Sequence, residues 1–281
     1  MTWTYTDEYY KNYTRDTWNE SAAEYAPIRR NLDKWNPHLL RRAAPKPGER
    51  VLDVACGDGE PALTLARAVA PSGKVVAIDL SERMIGVAAE RALAEQVRNV
   101  DFQVMDAEKL TLPDASFDLV TCRFGLQIVT DPDAAIRESL RVLKPGGRLV
   151  ATVWGPGERC PAIHVIIGPM LEFAEPDETG YLPTPYEMGG DNELVEILLK
   201  AGFEGAKEER FTHDWEFASA DAYFHNVLKG TPIGHSLSEE DEPTQKEVLR
   251  KTRLNLKPYT KVDGRIVLPS EGVVVSARKP A

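Results

Sequence analysis

The feature that most constrains the fold is a regular alternation of short β-branched runs with helical patterns from Val51 onward. Predicted strands cover 50–55, 74–79, 100–106, 117–123 and 147–154, and predicted helices lie near 60–70, 82–95 and 133–143. The turns at 71–73, 112–116 and 144–147 contain Pro, Gly or Asp, where the chain must reverse. This alternation is typical of a parallel sheet wrapped by helices, so we predict an α/β fold.

The remaining segments predict a lid, two further strands and two insertions. Residues 203–217 and 264–279 are predicted strands, and a helix over 191–202 precedes the first of them. Residues 155–190 and 219–263 are predicted cap insertions over the carboxyl edge of the sheet, where ligands bind in open α/β folds. Apolar side chains spaced three and four apart over 16–35 indicate an amphipathic helix, which packs on the core or serves as a ligand lid. We therefore divide the chain into an N-terminal helical lid, 1–44, and a main domain, 45–281.

Composition excludes several classes of protein. The net charge of −10 over 281 residues is spread along the chain, which argues against a nucleic-acid partner. The N-terminus lacks a signal-peptide pattern and no apolar run reaches the length of a membrane span, so a cytoplasmic location is expected. Three widely spaced cysteines are expected to be reduced thiols, and no metal site is predicted. The oligomeric state stays open.

The stretch "VLDVACGDGEP" at 51–61 is a glycine-bearing turn between a predicted strand and a predicted helix. It has no Lys or Arg and lacks the GxGxxG spacing, so it suits a diphosphate poorly. Gly57 and Gly59 would let a ligand approach the backbone, with Ala55 keeping the turn tight. Asp58 and Glu60 are expected to be solvated and without a role.

Three carboxylates close three successive predicted strands. Asp53 would face an ammonium group, Asp79 would accept both hydroxyls of a ribose, and Asp106 would accept from an exocyclic amine. A ligand with those three groups and no phosphate is S-adenosylmethionine. The constellation therefore predicts a site for this cofactor.

The motifs "VLDVACGDG", "VVAIDLSERMI" and "FQVMDAEKLTLPDASFDLVTCRFGLQIVTDPDAAIRESLRVLKPGGRLV" resemble the class I S-adenosylmethionine-dependent methyltransferases. Within that group the chain is most similar to the small-molecule branch typified by ubiquinone and menaquinone biosynthesis, closely over about 45–155. The resemblance implies a Rossmann-like seven-stranded sheet whose last strand is antiparallel. It also implies methyl transfer from S-adenosylmethionine, with S-adenosylhomocysteine as product.

The resemblance assigns cofactor contacts residue by residue. Asp53, Ala55 and Gly57 would line the methionine end, and the segment from Cys122 to Phe124 would pass beside it. The remaining implied contacts are Asp79 at the ribose, Leu80 and Met84 near the adenosine, Asp106 at the adenine amine and the Ala107 amide at a ring nitrogen. Ala55 stands where the family more often has glycine. Arg123 would pair either with an acid of the lid or with the cofactor carboxylate.

The acceptor side carries weaker signals. His164 follows the fifth predicted strand and is the candidate general base, although an ordinary helix histidine fits the pattern as well. His225 has a weaker claim to that role. An apolar acceptor wall is predicted from aromatic and aliphatic residues that otherwise belong to the core: Tyr25, Phe124, Leu126 and Trp154.

Three functions are compatible with these patterns. The leading one is methyl transfer to oxygen or carbon of an apolar or aromatic small molecule by in-line displacement. The second is a protein that binds the cofactor without methylating, such as a cyclisation catalyst or a regulatory module. A nicotinamide-dependent oxidoreductase is third, and the missing third glycine counts against it.

Overall fold

The computed structural model describes residues 7–173, 186 and 188–281. Part of the predicted insertion over 155–190, namely 174–185 and 187, lies outside them. Of the described residues, no helix has both the length and the apolar character needed to span a membrane.

Seven strands form one mixed sheet with the order β3-β2-β1-β4-β5-β7-β6. β1 to β5 are parallel, and β7 runs antiparallel to both β5 and β6. The implied Rossmann-like sheet with an antiparallel last strand is confirmed. The strands are β1 Arg50–Val54, β2 Lys74–Asp79, β3 Val100–Val104, β4 Phe117–Arg123, β5 Leu143–Trp154, β6 Glu204–Phe217 and β7 Ile266–Arg278.

Helices cover both faces of the sheet, and this accounts for the near-continuous apolar runs of the central strands. β4 illustrates the point, since Leu119 packs into the core on one face and Val120 into the core on the other. β5 begins at Leu143, so the turn expected at 144–147 lies inside an irregular stretch of strand, where the β4–β5 register shifts. The helices between the first five strands are α4 Ala62–Val69, α5 Glu82–Ala94 and α6 Pro132–Val142.

The N-terminal helical pattern is divided into three helices, whereas one was predicted over 16–35. Pro27 and Pro37 lie in the first turns of the second and third helices, positions that tolerate proline because the backbone N–H there has no intrahelical partner. The helices are α1 Asp7–Ser21, α2 Ala26–Leu32 and α3 Asn36–Ala43. We call residues 7–43 the strap: the first part crosses the carboxyl edge of the sheet, and α3 then packs on one face, where Leu39 and Ala43 join the core.

The described parts of the two predicted insertions are largely helical and pack together. The Tyr223 hydroxyl donates to the backbone oxygen of Ala162 at 3.0 Å, and the Asn255 amide donates to that of Val165 at 3.3 Å. These contacts hold the second insertion against the first. The helices after β5 are α7 Pro161–Leu171, α8 Glu193–Lys200, α9 Ala220–Gly230, α10 Ile233–Ser238 and α11 Glu242–Leu256.

Candidate functional site

The three acids predicted at the strand ends lie on adjacent strands of the sheet. Asp53 is in β1, Asp79 ends β2 and Asp106 follows β3 by two residues. Because β3, β2 and β1 are parallel neighbours, their carboxyl ends meet at one edge. The order of the acids along that edge is the order in which an extended ligand would meet them.

Asp53 is a buried carboxylate whose two oxygens differ in their hydrogen bonding. Its Oδ1 accepts from the Thr121 hydroxyl at 2.6 Å, across the β1–β4 pairing. Its Oδ2 has no hydrogen-bond partner among the described residues. Burial raises the pKa of Asp53 to about 7, against the opposing effects of the Thr121 hydrogen bond and the Arg123 charge. A buried oxygen of this kind suits a cationic donor such as an ammonium group.

The glycine turn is held open by backbone conformations that most residues avoid. Gly57 has φ +53° and Gly59 has φ +102°, and Ala55 also adopts φ +53°. The Gly57 amide donates to Asp79 Oδ2 at 2.8 Å, and the Ser81 amide donates to Oδ1 at 2.9 Å. Asp79 therefore ties the turn to the start of α5, although burial raises the pKa of its carboxyl.

A third glycine also shapes this edge of the sheet. A Cβ atom added at Gly125 would lie 2.5 Å from the Ala55 Cβ and 2.8 Å from the Cys122 Sγ. Only glycine lets the loop after β4 approach the turn after β1 this closely. Among the other predicted cofactor residues, Met84 and Cys122 are buried and Leu80 and Ala107 are partly exposed.

Asp58 and Glu60 are buried and paired, so the prediction that they are solvated was wrong. Asp58 is 2% exposed, lies 2.7 Å from the Arg29 Nε of the strap and 3.4 Å from Arg91 Nη1. Glu60 accepts from the Thr64 hydroxyl at 2.8 Å and also lies near Arg91. Two arginines from elements distant along the chain supply the charge that the turn itself lacks.

The strap makes a polar contact near the end of each of the first four strands. From β3 to β4, these are Lys11 to Asp106 at 2.7 Å, Asn19 to the Ser81 hydroxyl at 2.7 Å, Arg29 to Asp58 at 2.7 Å, and Arg123 to Asp33 and Asn36 at 2.8 Å each. The predicted lid therefore contacts the predicted cofactor residues directly. Of the two partners considered for Arg123, the structure shows the lid acid.

An aromatic cluster continues the site beyond β4 and β5. Phe124, with φ +57°, stacks on Trp154 at 3.9 Å between ring centroids, and Trp35 of the strap meets both rings edge-on. Leu126 is buried beside this loop. Tyr25 packs over the glycine turn, where a Cβ at Gly57 would lie 3.7 Å from its ring. Tyr25, Phe124 and Trp154 of the predicted acceptor wall thus belong to one buried apolar cluster, whereas Leu126 packs in a separate one.

The histidines differ in their surroundings. His164 lies in α7, and its Nδ1 is buried with no hydrogen-bond partner within the described part of the chain. Its ring lies 5.8 Å from that of Tyr186. His225 is mostly exposed. His38 and His213 contact each other through Nε2 at 2.9 Å. Among the described histidines, His164 is the one with a buried ring nitrogen that lacks a partner, and its ring lies beside Gly157 and Tyr186.

Two cavities on the described surface lie beside the strap and at the amino edge of the sheet. A cavity of about 390 Å³ lies between the end of α1 and α5, and one of about 350 Å³ lies at the amino edge of β2 and β3. The carboxyl edge is instead lined by the strap's own side chains. A ligand held by the three acids would lie beneath the strap.

Sequence reasoning missed Lys11, Arg29, Asp33, Asn36, Thr121 and Gly125. Four of them act across long separations, such as the 95 residues between Lys11 and Asp106, and no local pattern identifies such partners. Thr121 and Gly125 likewise act on residues that are distant in the chain, Asp53 and Ala55.

The family comparison covers the strands whose ends form this edge of the sheet. Residues 29–155 match the model of the ubiE/COQ5 methyltransferase family. The ubiquinone/menaquinone biosynthesis C-methyltransferase UbiE of Hydrogenovibrio crunogenus is 36% identical over 184 residues, covering 62% of this chain and 72% of that protein. The crystal structure of the [4+2]-cyclase SpnF is 26% identical, with TM-score 0.54 over 89% of this chain and 82% of that one.

A further structural neighbour is Haemonchus contortus phosphoethanolamine N-methyltransferase 2, in complex with phosphomonomethylethanolamine and S-adenosylhomocysteine. It is 23% identical with TM-score 0.55, over 88% of this chain and 53% of that one. At this identity the likeness concerns the fold.

Proposed function

Because the chain belongs to the ubiE/COQ5 methyltransferase family, we propose that its cofactor lies across the carboxyl ends of β1, β2 and β3. Its activity is S-adenosylmethionine-dependent methyl transfer to a small molecule. The observation that carries the placement is the unpartnered Oδ2 of buried Asp53 beside a turn with φ-positive glycines. That donor set fits an ammonium group and would repel a diphosphate.

We propose the individual contacts that the family resemblance implies. Asp53 takes the cofactor ammonium, and Ala55, Gly57, Cys122 and Arg123 line the methionine end. Around the adenosine, Asp79 takes the ribose hydroxyls, Leu80 and Met84 pack on the nucleoside, Asp106 takes the adenine amine and the Ala107 amide a ring nitrogen. The position of Asp79 and Asp106 at the ends of neighbouring parallel strands supports these two roles.

The cofactor supplies a methyl group on a positively charged sulfur. Since that charge disappears during an in-line displacement, the protein contributes chiefly alignment and exclusion of water. The strap, with Tyr25 and Trp35, covers the edge from above. Phe124 and Trp154 close it from the side of β4 and β5.

We propose a carbon or oxygen atom of an apolar, aromatic metabolite as the acceptor. Phe124 and Trp154 stack on each other and share one buried apolar cluster with Tyr25, and Leu126 is buried in the neighbouring cluster, so this side of the edge is apolar. The name of the Hydrogenovibrio relative, a C-methyltransferase, favours carbon over oxygen. The strap and the helices of the two insertions would enclose this acceptor. His164 would remove its proton.

The test measures S-adenosylhomocysteine release with a panel of phenols, hydroquinones and, for contrast, alkyl amines. We expect turnover with at least one hydroxylated aromatic compound and about 100-fold slower turnover in H164N, the usual effect of removing a general base. The control is H225N, an identical change at an exposed histidine, which should keep wild-type turnover.

A protein that binds S-adenosylhomocysteine but consumes no S-adenosylmethionine with any acceptor would favour the second candidate, a cyclisation catalyst. The likeness to the [4+2]-cyclase SpnF is the specific observation behind that candidate. Equal turnover of H164N and H225N would instead retain methyl transfer and remove His164 from the chemistry.

Thr121 provides a test of the Asp53 carboxylate by pH. In T121V the carboxylate loses a donor, so its pKa should rise above about 7 and the charged form should appear only at higher pH. We expect T121V to bind S-adenosylhomocysteine about tenfold more weakly at pH 6.5, with the gap narrowing by pH 8.5. Titration calorimetry between those pH values measures it.

The matched control is T152V. Thr152 is equally buried on β5, but its hydroxyl has no partner in the described structure. T121S should restore the wild-type pH profile. A similar profile for T121V and T152V would contradict the role of the Thr121 hydroxyl.

A further inference from the structure

Lys11 of the strap lies where the adenine end of the cofactor is proposed to bind. Its Nζ is 2.7 Å from Asp106 Oδ2 and 2.6 Å from Glu108 Oε2. Burial lowers the pKa of Lys11, but the hydrogen bonds and charges of the two carboxylates outweigh burial and raise it. The side chain is therefore an ammonium group shared between two acids.

The two carboxylates that contact Lys11 differ in their other hydrogen bonds. Glu108 is anchored within the main domain, because its Oε1 accepts from the amides of Thr130 at 2.8 Å and Asp131 at 3.0 Å. Asp106 accepts the Glu108 amide on Oδ1 at 2.9 Å, while Lys11 is the partner on its Oδ2. The contact at Asp106 Oδ2 therefore depends on the strap, and another donor can replace Lys11 there.

An adenine amine and Lys11 would compete for the same carboxylate. Both are donors, and Asp106 Oδ2 is the oxygen that the main domain leaves to a partner from outside. When the amine takes this oxygen, Lys11 keeps its charge paired through Glu108. Displacing Lys11 from Asp106 therefore costs one partly exposed ion-pair contact, and no buried charge is left without a partner.

We propose that Lys11 sets how strongly the site discriminates the group at position 6 of the purine. This inference rests on the proposed cofactor placement. With Lys11 present, a 6-amino group must displace an ammonium from Asp106, whereas a 6-oxo group accepts a hydrogen bond from that ammonium. Lys11 thereby narrows the preference for adenosine over inosine that the Asp106 carboxylate alone would produce.

The experiment compares binding of S-adenosylhomocysteine and its 6-oxo analogue, S-inosylhomocysteine, by titration calorimetry. We expect the ratio of the two dissociation constants, inosyl over adenosyl, to rise about three- to tenfold in K11M, as fits the loss of one partly exposed charge contact. K11R keeps the charge and should keep the wild-type ratio.

The control is K34M, which removes the same charge from the same strap. Lys34 pairs with Glu216 and the Asp214 carbonyl, away from Asp106. Circular dichroism and the melting temperature verify that the variants fold. K11Q is a second variant that removes the charge at position 11.

An unchanged or lower ratio in K11M, an equal rise in K34M, or loss of both ligands in K11M would overturn the proposal for Lys11. Failure of the wild-type protein to bind S-adenosylhomocysteine would overturn the proposed cofactor site instead. The two failures are therefore distinguishable.

Discussion

The D53N protein is expected to fold normally and to bind S-adenosylhomocysteine about 100-fold more weakly than the wild type. Asparagine keeps the shape of the side chain and an acceptor for Thr121, but it removes the charge opposite the cofactor ammonium. Truncating one partner of a buried charge pair costs about 2–5 kcal/mol, and 100-fold corresponds to about 3 kcal/mol. Titration calorimetry at pH 8 measures the change.

The melting temperature of D53N is expected to rise at high pH, although its affinity for S-adenosylhomocysteine falls. The pKa of Asp53 is raised from 3.8 to about 7 by burial, so between these values the folded protein holds a proton that the unfolded chain has lost. Its contribution to stability therefore falls as pH rises from about 4 to about 7. Without that carboxyl, D53N should melt above the wild type at pH 8 and close to it at pH 4.

The matched control for both measurements is D101N. Asp101 is exposed near the start of β3, far from the carboxyl edge. Wild-type affinity in D53N would refute the ammonium contact. A melting difference that does not change with pH would show that the Asp53 carboxyl does not titrate as the buried geometry requires.

Loss of the Arg123 guanidinium is expected to cost about 3 kcal/mol of unfolding free energy in R123M. The side chain is 3% exposed and donates to Asp33 Oδ1 and Asn36 Oδ1 at 2.8 Å each. The substitution removes two charge-assisted hydrogen bonds and leaves the Asn36 oxygen without its donor, while Asp33 keeps its ion pair with Arg29 at 2.7 Å. For a chain of this size the melting temperature should fall by about 5–10 °C, which calorimetry at pH 7.5 measures.

R137M makes the same substitution at an arginine that is 62% exposed and 3.6 Å from Asp131. Its effect should stay below about 0.5 kcal/mol. A double-mutant cycle between R123M and D33N isolates the pair. Equal stability of R123M and R137M, or additive single effects in the cycle, would contradict a stabilising bond between strap and sheet.

The sheet was largely predictable because its signals are local. Strand and helix periodicities, turn residues and the position of an acid at the end of a strand depend on neighbours in the chain. The seven strands and their flanking helices accordingly lie close to the predicted ranges. The divided strap was missed because the apolar spacing continues past Ser21 and Leu32, where α1 and α2 end.

The three acids of the site were predicted from the same local signals and the other cofactor contacts from the family resemblance, whereas the partners of these residues within the protein were not predicted. Asp58 looked solvated because the turn contains no base, yet Arg29, 29 residues away, and Arg91 neutralise it. Thr121 reaches Asp53 through the β1–β4 pairing, a contact between positions 68 residues apart. Such partners depend on which elements pack together.

By itself, the sequence determined the α/β sheet, the three acids at the ends of successive strands, and the cofactor that suits them. Only the tertiary structure decided that the strap lies across those acids, that Asp106 and Glu108 share the Lys11 ammonium, and that Arg123 bonds to Asp33. The physical reason is range. Backbone periodicity and strand ends are set by adjacent residues, whereas a buried charge is stable only beside a partner that folding brings from elsewhere in the chain.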